Sequence, residues 1–134
     1  GTRMRLNRVP VLCQHCENPA CEDACPHGAI SRRSDGIVII DPERCQGCGA
    51  CREACPYDAI YANAERGISQ KCTMCAHLID KGEKPACVKH CPGQARKFGD
   101  LDDPESDVSK AIEGRETMFL NEEAGTKPSV YYLQ

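Results

Sequence analysis

The pattern of apolar and polar positions predicts short secondary-structure elements. Apolar residues cluster within 30–32 and 37–40, on either side of Ser34-Asp35-Gly36, whose composition is typical of a tight turn. The pattern therefore predicts a β-hairpin made of two short strands joined at that turn.

The same pattern occurs twice, at an interval of 30 residues. Residues 23–30 read Asp-Ala-Cys-Pro-His-Gly-Ala-Ile, and residues 53–60 read Glu-Ala-Cys-Pro-Tyr-Asp-Ala-Ile. Two copies of one unit predict a pseudo-twofold arrangement, in which each copy contributes a cysteine loop, a one-turn helix and a hairpin.

The pattern changes in the second half of the chain. Residues 76–86 predict a loop, which either contacts a partner or is simply solvated. Asp103 followed by Pro104 is typical of an N-cap and a first helical residue, and predicts a short amphipathic helix that ends near Ile112. The polar tail ends in Ser129-Val130-Tyr131-Tyr132-Leu133, which is consistent with an edge strand or a docking tail.

Composition indicates a small apolar core. Hydrophobic residues make up 40% of the chain, but Leu, Ile, Val and Phe number only 22 of 134, a proportion at which disorder is expected unless something else organises the chain. Bound metal can supply that organisation through the 12 cysteines. We therefore expect the metal-free chain not to be stably folded.

All 12 cysteines fall into three sets of four, each ending in Cys-x3-Cys-Pro. The middle set has the Cys-x2-Cys-x2-Cys-x3-Cys-Pro spacing of bacterial ferredoxins, whose fourth cysteine ligates a second cluster. Because the last two cysteines of each set are four residues apart, one helical turn would present them to two different [4Fe–4S] clusters. The sets are Cys13, Cys16, Cys21 and Cys25; Cys45, Cys48, Cys51 and Cys55; and Cys72, Cys75, Cys87 and Cys91.

Three further classes of cysteine-rich site fit this spacing less well. A disulfide scaffold does not need the Cys-Pro endings, a zinc ribbon does not need a third cysteine two residues on, and a thioredoxin-like dithiol would lie in a βαβ unit. No catalytic constellation is found. Four histidines near the cysteines are interpreted as polar neighbours because cysteine already fills every ligand position; they are His15, His27, His77 and His90.

Charge divides the chain into two parts. Residues 1–99 carry 14 Lys and Arg against 11 Asp and Glu, whereas residues 100–134 carry 3 against 9. Since a cubane with four thiolates is an anion, the basic surplus is interpreted as offsetting cofactor charge, and no nucleic-acid partner is predicted. The sequence has no run of 18 apolar residues and no signal-peptide pattern, so no membrane span is predicted.

These residues resemble the iron–sulfur, or beta, subunits of the dimethyl sulfoxide reductase family of molybdopterin oxidoreductases, which also includes polysulfide, thiosulfate and arsenate reductases. The resemblance is carried by Leu-Cys-Gln-His-Cys-Glu-Asn-Pro at 12–19, by Cys-x2-Cys-x11-Cys-x3-Cys-Pro at 72–92, and by residues 95–104. It implies an α+β fold of the double-ferredoxin type, with short hairpins and one- to three-turn helices built around [4Fe–4S] clusters.

The resemblance also implies which cysteines share a cluster. Two clusters are complete within this chain, a third lacks its fourth ligand unless Cys91 closes it, and four are expected in full-length members. The implied ligand sets are Cys13, Cys16, Cys21 and Cys55; then Cys45, Cys48, Cys51 and Cys25; then Cys72, Cys75 and Cys87.

The family has a further cysteine set upstream of Cys13, which this chain does not contain. The start at Gly1-Thr2-Arg3, without methionine, favours a fragment over a natural short form, and also fits processing or a tag scar. We expect a two-cluster ferredoxin-like unit over residues 1–66, part of a second unit over 67–99, and an acidic helix and tail over 100–134.

The resemblance implies a non-catalytic subunit that relays single electrons between a molybdopterin catalytic subunit and a membrane anchor subunit that reacts with quinone. A membrane-associated complex at the periplasmic face is expected, with the cytoplasm as the alternative. A freely diffusing polyferredoxin is the alternative function. A structural zinc protein would differ from both in being colourless.

Overall fold

A computed structural model describes residues 8–134, so the start at Gly1-Thr2-Arg3 lies outside the described residues. Within this range no helix is longer than six residues, and none has the length and the apolar run that crossing a bilayer requires. The fold is the small α+β, ferredoxin-type arrangement that was predicted, although its helices reach at most about two turns. The elements are α1 Ala20–Ala24, β1 Ile30–Arg32, β2 Val38–Ile40, α2 Ala50–Ala54, β3 Ile60–Asn63, β4 Ile68–Lys71, α3 Ala76–Ile79, α4 Ala86–Lys89, α5 Asp107–Ile112, β5 Thr117–Met118, a 3-10 helix Glu122–Ala124 and β6 Tyr132–Leu133.

The internal repeat folds into two helix–hairpin units. In the first unit α1 leads into the antiparallel pair β1–β2, where Ile30 lies opposite Ile40. In the second, α2 leads into β3–β4, where Ile60 lies opposite Lys71. The helices α1 and α2 pack on each other, and β2 packs against β4. The β3–β4 hairpin continues across the boundary expected between residues 66 and 67, and the division into units remains a proposal.

Each one-turn helix ends at the Cys-Pro pair. Cys25 and Cys55 are the C-caps of α1 and α2, and the proline that follows cannot continue a helix because it has no N–H to donate. The chain then turns at Gly28 and Asp58, which occupy equivalent positions with φ of 59° and 50°. The Cys-Pro pair therefore sets where the helix stops and where the hairpin begins.

A small apolar core lies between the two units. Isoleucine and valine side chains from three of the four strands meet the Cys51 side chain from α2 there. Several cysteines border this core, so the expected cluster ligands lie directly beside the apolar side chains. The buried core residues are Ile30, Val38, Cys51 and Ile60, and the partly buried residues against them are Cys21, Cys25, Ile40 and Cys55.

The predicted start of the last helix was wrong. Helix α5 begins at Asp107, and its N-cap is Ser106, whose hydroxyl oxygen accepts a hydrogen bond from the Ser109 N–H at 3.2 Å. The Asp103 carboxylate instead accepts from the Glu105 N–H at 2.9 Å, which closes a turn before the helix. Asp103 therefore stabilises a turn that precedes the helix, and the N-cap of α5 lies three residues later, at Ser106.

The insertion at 76–86 is not a loop throughout. It begins with α3, and α4 starts at its last residue, Ala86. Asp80, just after α3, forms an ion pair with Arg33 of the first hairpin, with 2.6 Å between Nη2 and Oδ1. This pair joins the insertion to the first unit.

The edge strand predicted at the end of the chain is confirmed. Strand β6 pairs antiparallel with β5, with Met118 opposite Tyr132. Residues 121–132, here named the C-terminal strap, run from the β5 side of the molecule across the segment around Cys13.

Candidate cluster-binding site

A cavity beside the core is lined by four cysteines from two different sequence sets. It holds about 350 Å³ of empty space, part of it open to solvent. The extended segment before α1 supplies two of the cysteines, α1 supplies the third, and the C-cap of α2 supplies the fourth. We name it the Cys13 cavity, and its cysteines are Cys13, Cys16, Cys21 and Cys55.

A second cavity lies on the other side of the same core. It holds about 280 Å³ of empty space, again partly open to solvent. Three of its cysteines come from the loop before α2 and from α2 itself, and one comes from the C-cap of α1. We name it the Cys45 cavity, and its cysteines are Cys45, Cys48, Cys51 and Cys25.

Each one-turn helix therefore serves both cavities. Cys21 on α1 lines the Cys13 cavity, and Cys25 at its end lines the Cys45 cavity. On α2, Cys51 lines the Cys45 cavity, and Cys55 at the end of the helix lines the Cys13 cavity. The structure thus brings together the cysteines of each of the two complete ligand sets that the resemblance implies.

The third set is arranged differently. Cys72 lies close enough to Cys13 and Cys87 for their charges to act on it, and its pKa is raised chiefly by burial and further by those two thiols. Cys91 is faced by backbone N–H groups, that of Ala95 foremost, and these lower its pKa. The third set therefore approaches the Cys13 cavity through Cys72, while Cys91 lies in a separate backbone environment.

Backbone N–H groups reach the sulfur of at least one cysteine in each set. Such bonds favour the thiolate form, and around clusters they are one of the ways a protein sets the reduction potential. At Cys25 the effect of burial is outweighed by N–H groups, that of Ala29 foremost, so the pKa is lowered. The bonds run from Ala29 to Cys25 at 3.4 Å, from Ser69 to Cys45 at 3.3 Å and from Met74 to Cys72 at 3.3 Å.

The two cavities suit a [4Fe–4S] cubane better than a zinc ion. Zinc binds its thiolates at about 2.3 Å in a closed tetrahedron, which leaves no space at the centre. Here the four thiols surround empty space, and within residues 8–134 no three metal-ligating side chains converge on the position of a single ion. Burial raises the pKa of Cys21 to about 12, so binding of metal at this thiol must displace a proton.

Two residues that no sequence pattern singled out line the Cys13 cavity. Lys71, at the end of β4, is only 7% exposed, and its ammonium donates hydrogen bonds to the carbonyl oxygens of Val38 and Cys72. Tyr57 is 8% exposed, and its hydroxyl lies 2.7 Å from the Thr126 hydroxyl. Only their positions in three dimensions place them in the wall of the cavity.

His15 is a buried acceptor within the segment that carries Cys13. Its Nδ1 accepts a hydrogen bond from the Val38 N–H at 3.0 Å, which joins this segment to β2. Burial, with the charge of Lys71 as the second cause, lowers its pKa to about 3, so the ring is neutral. Of the other histidines, His27 lines the Cys45 cavity, His77 lies on α3 and His90 is the C-cap of α4.

The C-terminal strap covers the segment that carries the first two cysteines. Five hydrogen bonds tie it to residues 14–18. One joins the Gln14 side chain to the Tyr132 hydroxyl at 3.4 Å, and backbone groups take part in the other four, so the strap holds the path of the segment itself. These four bonds run from Glu17 N–H to Lys127 O at 2.9 Å, from Asn18 N–H to Thr126 O at 3.0 Å, from Ser129 N–H to Gln14 O at 2.9 Å and from the Ser129 hydroxyl to His15 O at 2.9 Å.

Comparison with known proteins finds a matching family and several related reductase subunits. Residues 4–101 match the family described as 4Fe-4S dicluster domain. The chain is 45% identical over 127 residues to a subunit of the tetrathionate reductase of Salmonella typhimurium, covering 93% of this chain and 51% of that protein. It is 43% identical over 127 residues to the beta subunit of the selenate reductase of Thauera selenatis, covering 93% and 39%.

A longer match covers more of the relative. The chain is 34% identical over 179 residues to the arsenate respiratory reductase iron–sulfur subunit of a Shewanella species, covering 98% of this chain and 76% of that protein. The chain spans only about half of the length of the tetrathionate reductase subunit, and less of the selenate reductase subunit.

Proposed function

The chain belongs to the 4Fe-4S dicluster domain family, among the iron–sulfur subunits of dimethyl sulfoxide reductase-type enzymes, and on that premise we propose that it is a non-catalytic electron-transfer subunit. We propose that it relays single electrons between a molybdopterin catalytic subunit and a membrane subunit that reacts with quinone. The observation that carries the proposal is the pair of four-cysteine cavities on either side of one core.

In this proposal each cavity binds one [4Fe–4S] cluster through its four cysteines. When bound, the clusters supply one-electron redox chemistry at potentials that the surrounding protein sets. The protein fixes the thiolates on two short helices, and the shared core holds those helices together. Since both helices contribute to both cavities, the separation of the two clusters is fixed by the length of one helical turn.

The burial of the cysteines suggests an order along the path. Each cavity has one buried cysteine, which is Cys51 in the Cys45 cavity and Cys16, beneath the C-terminal strap, in the Cys13 cavity. Of the eight cysteines of the two cavities, only Cys48 of the Cys45 cavity is exposed. Cys72 of the third set lies near enough to Cys13 for the charge of that thiol to act on it. We therefore propose that the Cys45 cavity is the solvent-facing end of the path, and that the Cys13 cavity lies between it and the third set.

The partners and the location belong to the whole protein. Relatives are named as subunits of tetrathionate, arsenate and other reductases, which supports a catalytic partner for this chain. A membrane anchor, a position at the periplasmic face, and two more clusters, one held by Cys72, Cys75 and Cys87 and another reached by Cys91, are further parts of the proposal.

The test is a count of metal with an assignment of ligands. Full-length protein, purified without oxygen, is assayed for iron and acid-labile sulfide and examined by electron paramagnetic resonance. About eight irons per chain are expected from the two cavities alone, and about sixteen if four clusters are present. A colourless protein that contains zinc would overturn the proposal, and a brown protein that never co-purifies with a large subunit would favour a freely diffusing polyferredoxin.

The pairing of ligands is tested with two matched variants. Cys55→Ser should change the signal of the cluster bound by Cys13, Cys16 and Cys21, although Cys55 belongs to the second sequence set. Cys25→Ser should change the signal of the other cluster. If each substitution altered only the cluster of its own sequence set, the proposed pairing would be wrong.

A further inference from the structure

Lys71 is a buried cation without an anionic partner in the described structure. Its side chain is almost fully enclosed, and none of the ion pairs among residues 8–134 includes it. Two carbonyl oxygens, of Val38 and Cys72, accept hydrogen bonds from its ammonium. Enclosing a charge without a counter-charge is strongly unfavourable, so the position calls for an anion nearby.

The cavity that Lys71 lines is where such an anion would lie. Lys71 forms part of the wall of the Cys13 cavity, together with its four cysteines. Four thiolates with a [4Fe–4S] core carry net negative charge, which would supply the missing partner.

The internal repeat shows that this lysine makes the two cavities different. Lys71 lies opposite Ile60 in the second hairpin, and Ile40 lies opposite Ile30 at the equivalent place in the first hairpin. Ile30 and Ile40 line the Cys45 cavity, whereas Ile60 and Lys71 line the Cys13 cavity. At equivalent positions of the two hairpins, the Cys45 cavity therefore has the apolar side chain of Ile40 and the Cys13 cavity has the cation of Lys71.

We propose that Lys71 is the internal counter-ion of the cluster in the Cys13 cavity and raises the reduction potential of that cluster above the value it would have beside an apolar side chain. This inference rests on the proposed function. Reduction adds one electron to the cluster, and a fixed positive charge stabilises the more negative, reduced form. Lys71 is a tuning residue because it acts on the potential and ligates no metal itself.

The test is a redox titration of Lys71→Met in full-length protein purified without oxygen. Dithionite supplies one electron to each cluster through mediators, and electron paramagnetic resonance follows each signal, with Cys16→Ser identifying the signal of the Cys13 cavity. We expect at least a tenfold fall in the equilibrium constant for reduction of that cluster, which is about 59 mV for one electron. The cluster in the Cys45 cavity should shift much less and serves as the internal reference.

Two further variants separate charge from packing. Lys71→Arg retains the charge and should keep the potential close to that of the parent protein, and Lys110→Met removes an exposed lysine on α5 and should change neither potential. Loss of the cluster in Lys71→Met but not in Lys71→Arg also supports the proposal, because it shows that the charge is required. An unchanged potential, equal shifts of both clusters, or loss of the cluster in both Lys71 variants would overturn it. A parent protein without cluster signals would instead refute the proposed function.

Discussion

At the scale of single residues, Tyr57 connects the wall of the Cys13 cavity to the C-terminal strap. Burial is the main reason that its pKa is raised, and the charges of Cys16 and Cys55 add to the effect. Its hydroxyl group pairs with that of Thr126, which is only 3% exposed. Since both hydroxyl groups are enclosed, neither has ready access to water as a substitute partner.

Tyr57→Phe should therefore lower the free energy of unfolding of the cluster-loaded protein by about 1 kcal/mol, because the Thr126 hydroxyl loses a buried partner. For a chain of this size the midpoint of thermal unfolding should fall by about 4 °C. Differential scanning calorimetry under anaerobic conditions measures the change. Tyr61→Phe is the matched control because Tyr61 is 58% exposed, and equal midpoints for the two variants would contradict the prediction.

The sequence predicts how the cysteines are grouped, but it does not predict which residues surround them. Cysteine spacing is a local property, so the sharing of helices between two ligand sets follows from a count of residues. Lys71 meets Val38 across 33 positions, and Tyr57 meets Thr126 across 69. No periodicity in the sequence encodes such distant contacts.

At the scale of elements, the C-terminal strap contacts the segments around the Cys13 cavity. Among residues 8–134, none of its hydrogen bonds reaches a residue that lines the Cys45 cavity. Its hydrogen bonds reach residues 14–18 next to the Cys13 cavity, and the Asn121 side chain donates to the carbonyl oxygen of Pro56 at 3.0 Å. The described bonds of the strap therefore lie at the two segments that carry Cys13, Cys16 and Cys55.

A chain shortened to end at Gly114 should lose iron from the Cys13 cavity faster than the parent protein, by about tenfold if the lost contacts contributed about 1.4 kcal/mol to the closed state. The rate is followed as the decay of each paramagnetic signal during incubation with an iron chelator. The cluster of the Cys45 cavity is the internal control. Equal acceleration at both cavities would show that the strap supports the whole fold and not one site.

Some boundaries of helices and strands were predicted correctly from neighbouring residues, and others were missed. The first hairpin follows from its turn residues, and β1 and β2 lie within the predicted ranges. Asp103 and Ser106 are both good caps by residue type. Asp103 accepts from the Glu105 N–H and Ser106 from the Ser109 N–H, and residue type alone does not distinguish these two roles. Helix α3 was missed because its four residues are too few to show a helical period.

At the scale of the whole molecule, the fold has little apolar packing of its own. Among residues 8–134 the core cluster between the two units consists of Ile30, Val38, Ile60 and a cysteine, and few other large apolar side chains are buried. Three further cysteines and Ile40 pack against it, and all three of these cysteines line a cavity. Cluster binding is therefore expected to supply much of the free energy of folding.

Removal of iron from the full chain should abolish cooperative unfolding and leave the protein readily digested by proteases. Circular dichroism in the far ultraviolet and limited proteolysis, before and after chelation, measure the change. Addition of iron and sulfide under reducing conditions should restore both properties. A chelated chain that still unfolds in one sharp transition would show that the apolar core is sufficient.

The order in which the segments of the two cavities leave the ribosome has a consequence for biosynthesis. The cysteines of the Cys45 cavity, and Ser69 that bonds to one of them, lie between residues 25 and 69, so this cavity can form while the remainder is still being translated. The lining of the Cys13 cavity, in contrast, includes Thr126 and is complete only once the C-terminal strap has been translated. Machinery that delivers iron and sulfide would therefore have access to the Cys13 cavity for longer, and docking of the C-terminal strap would be the last step in the assembly of this site.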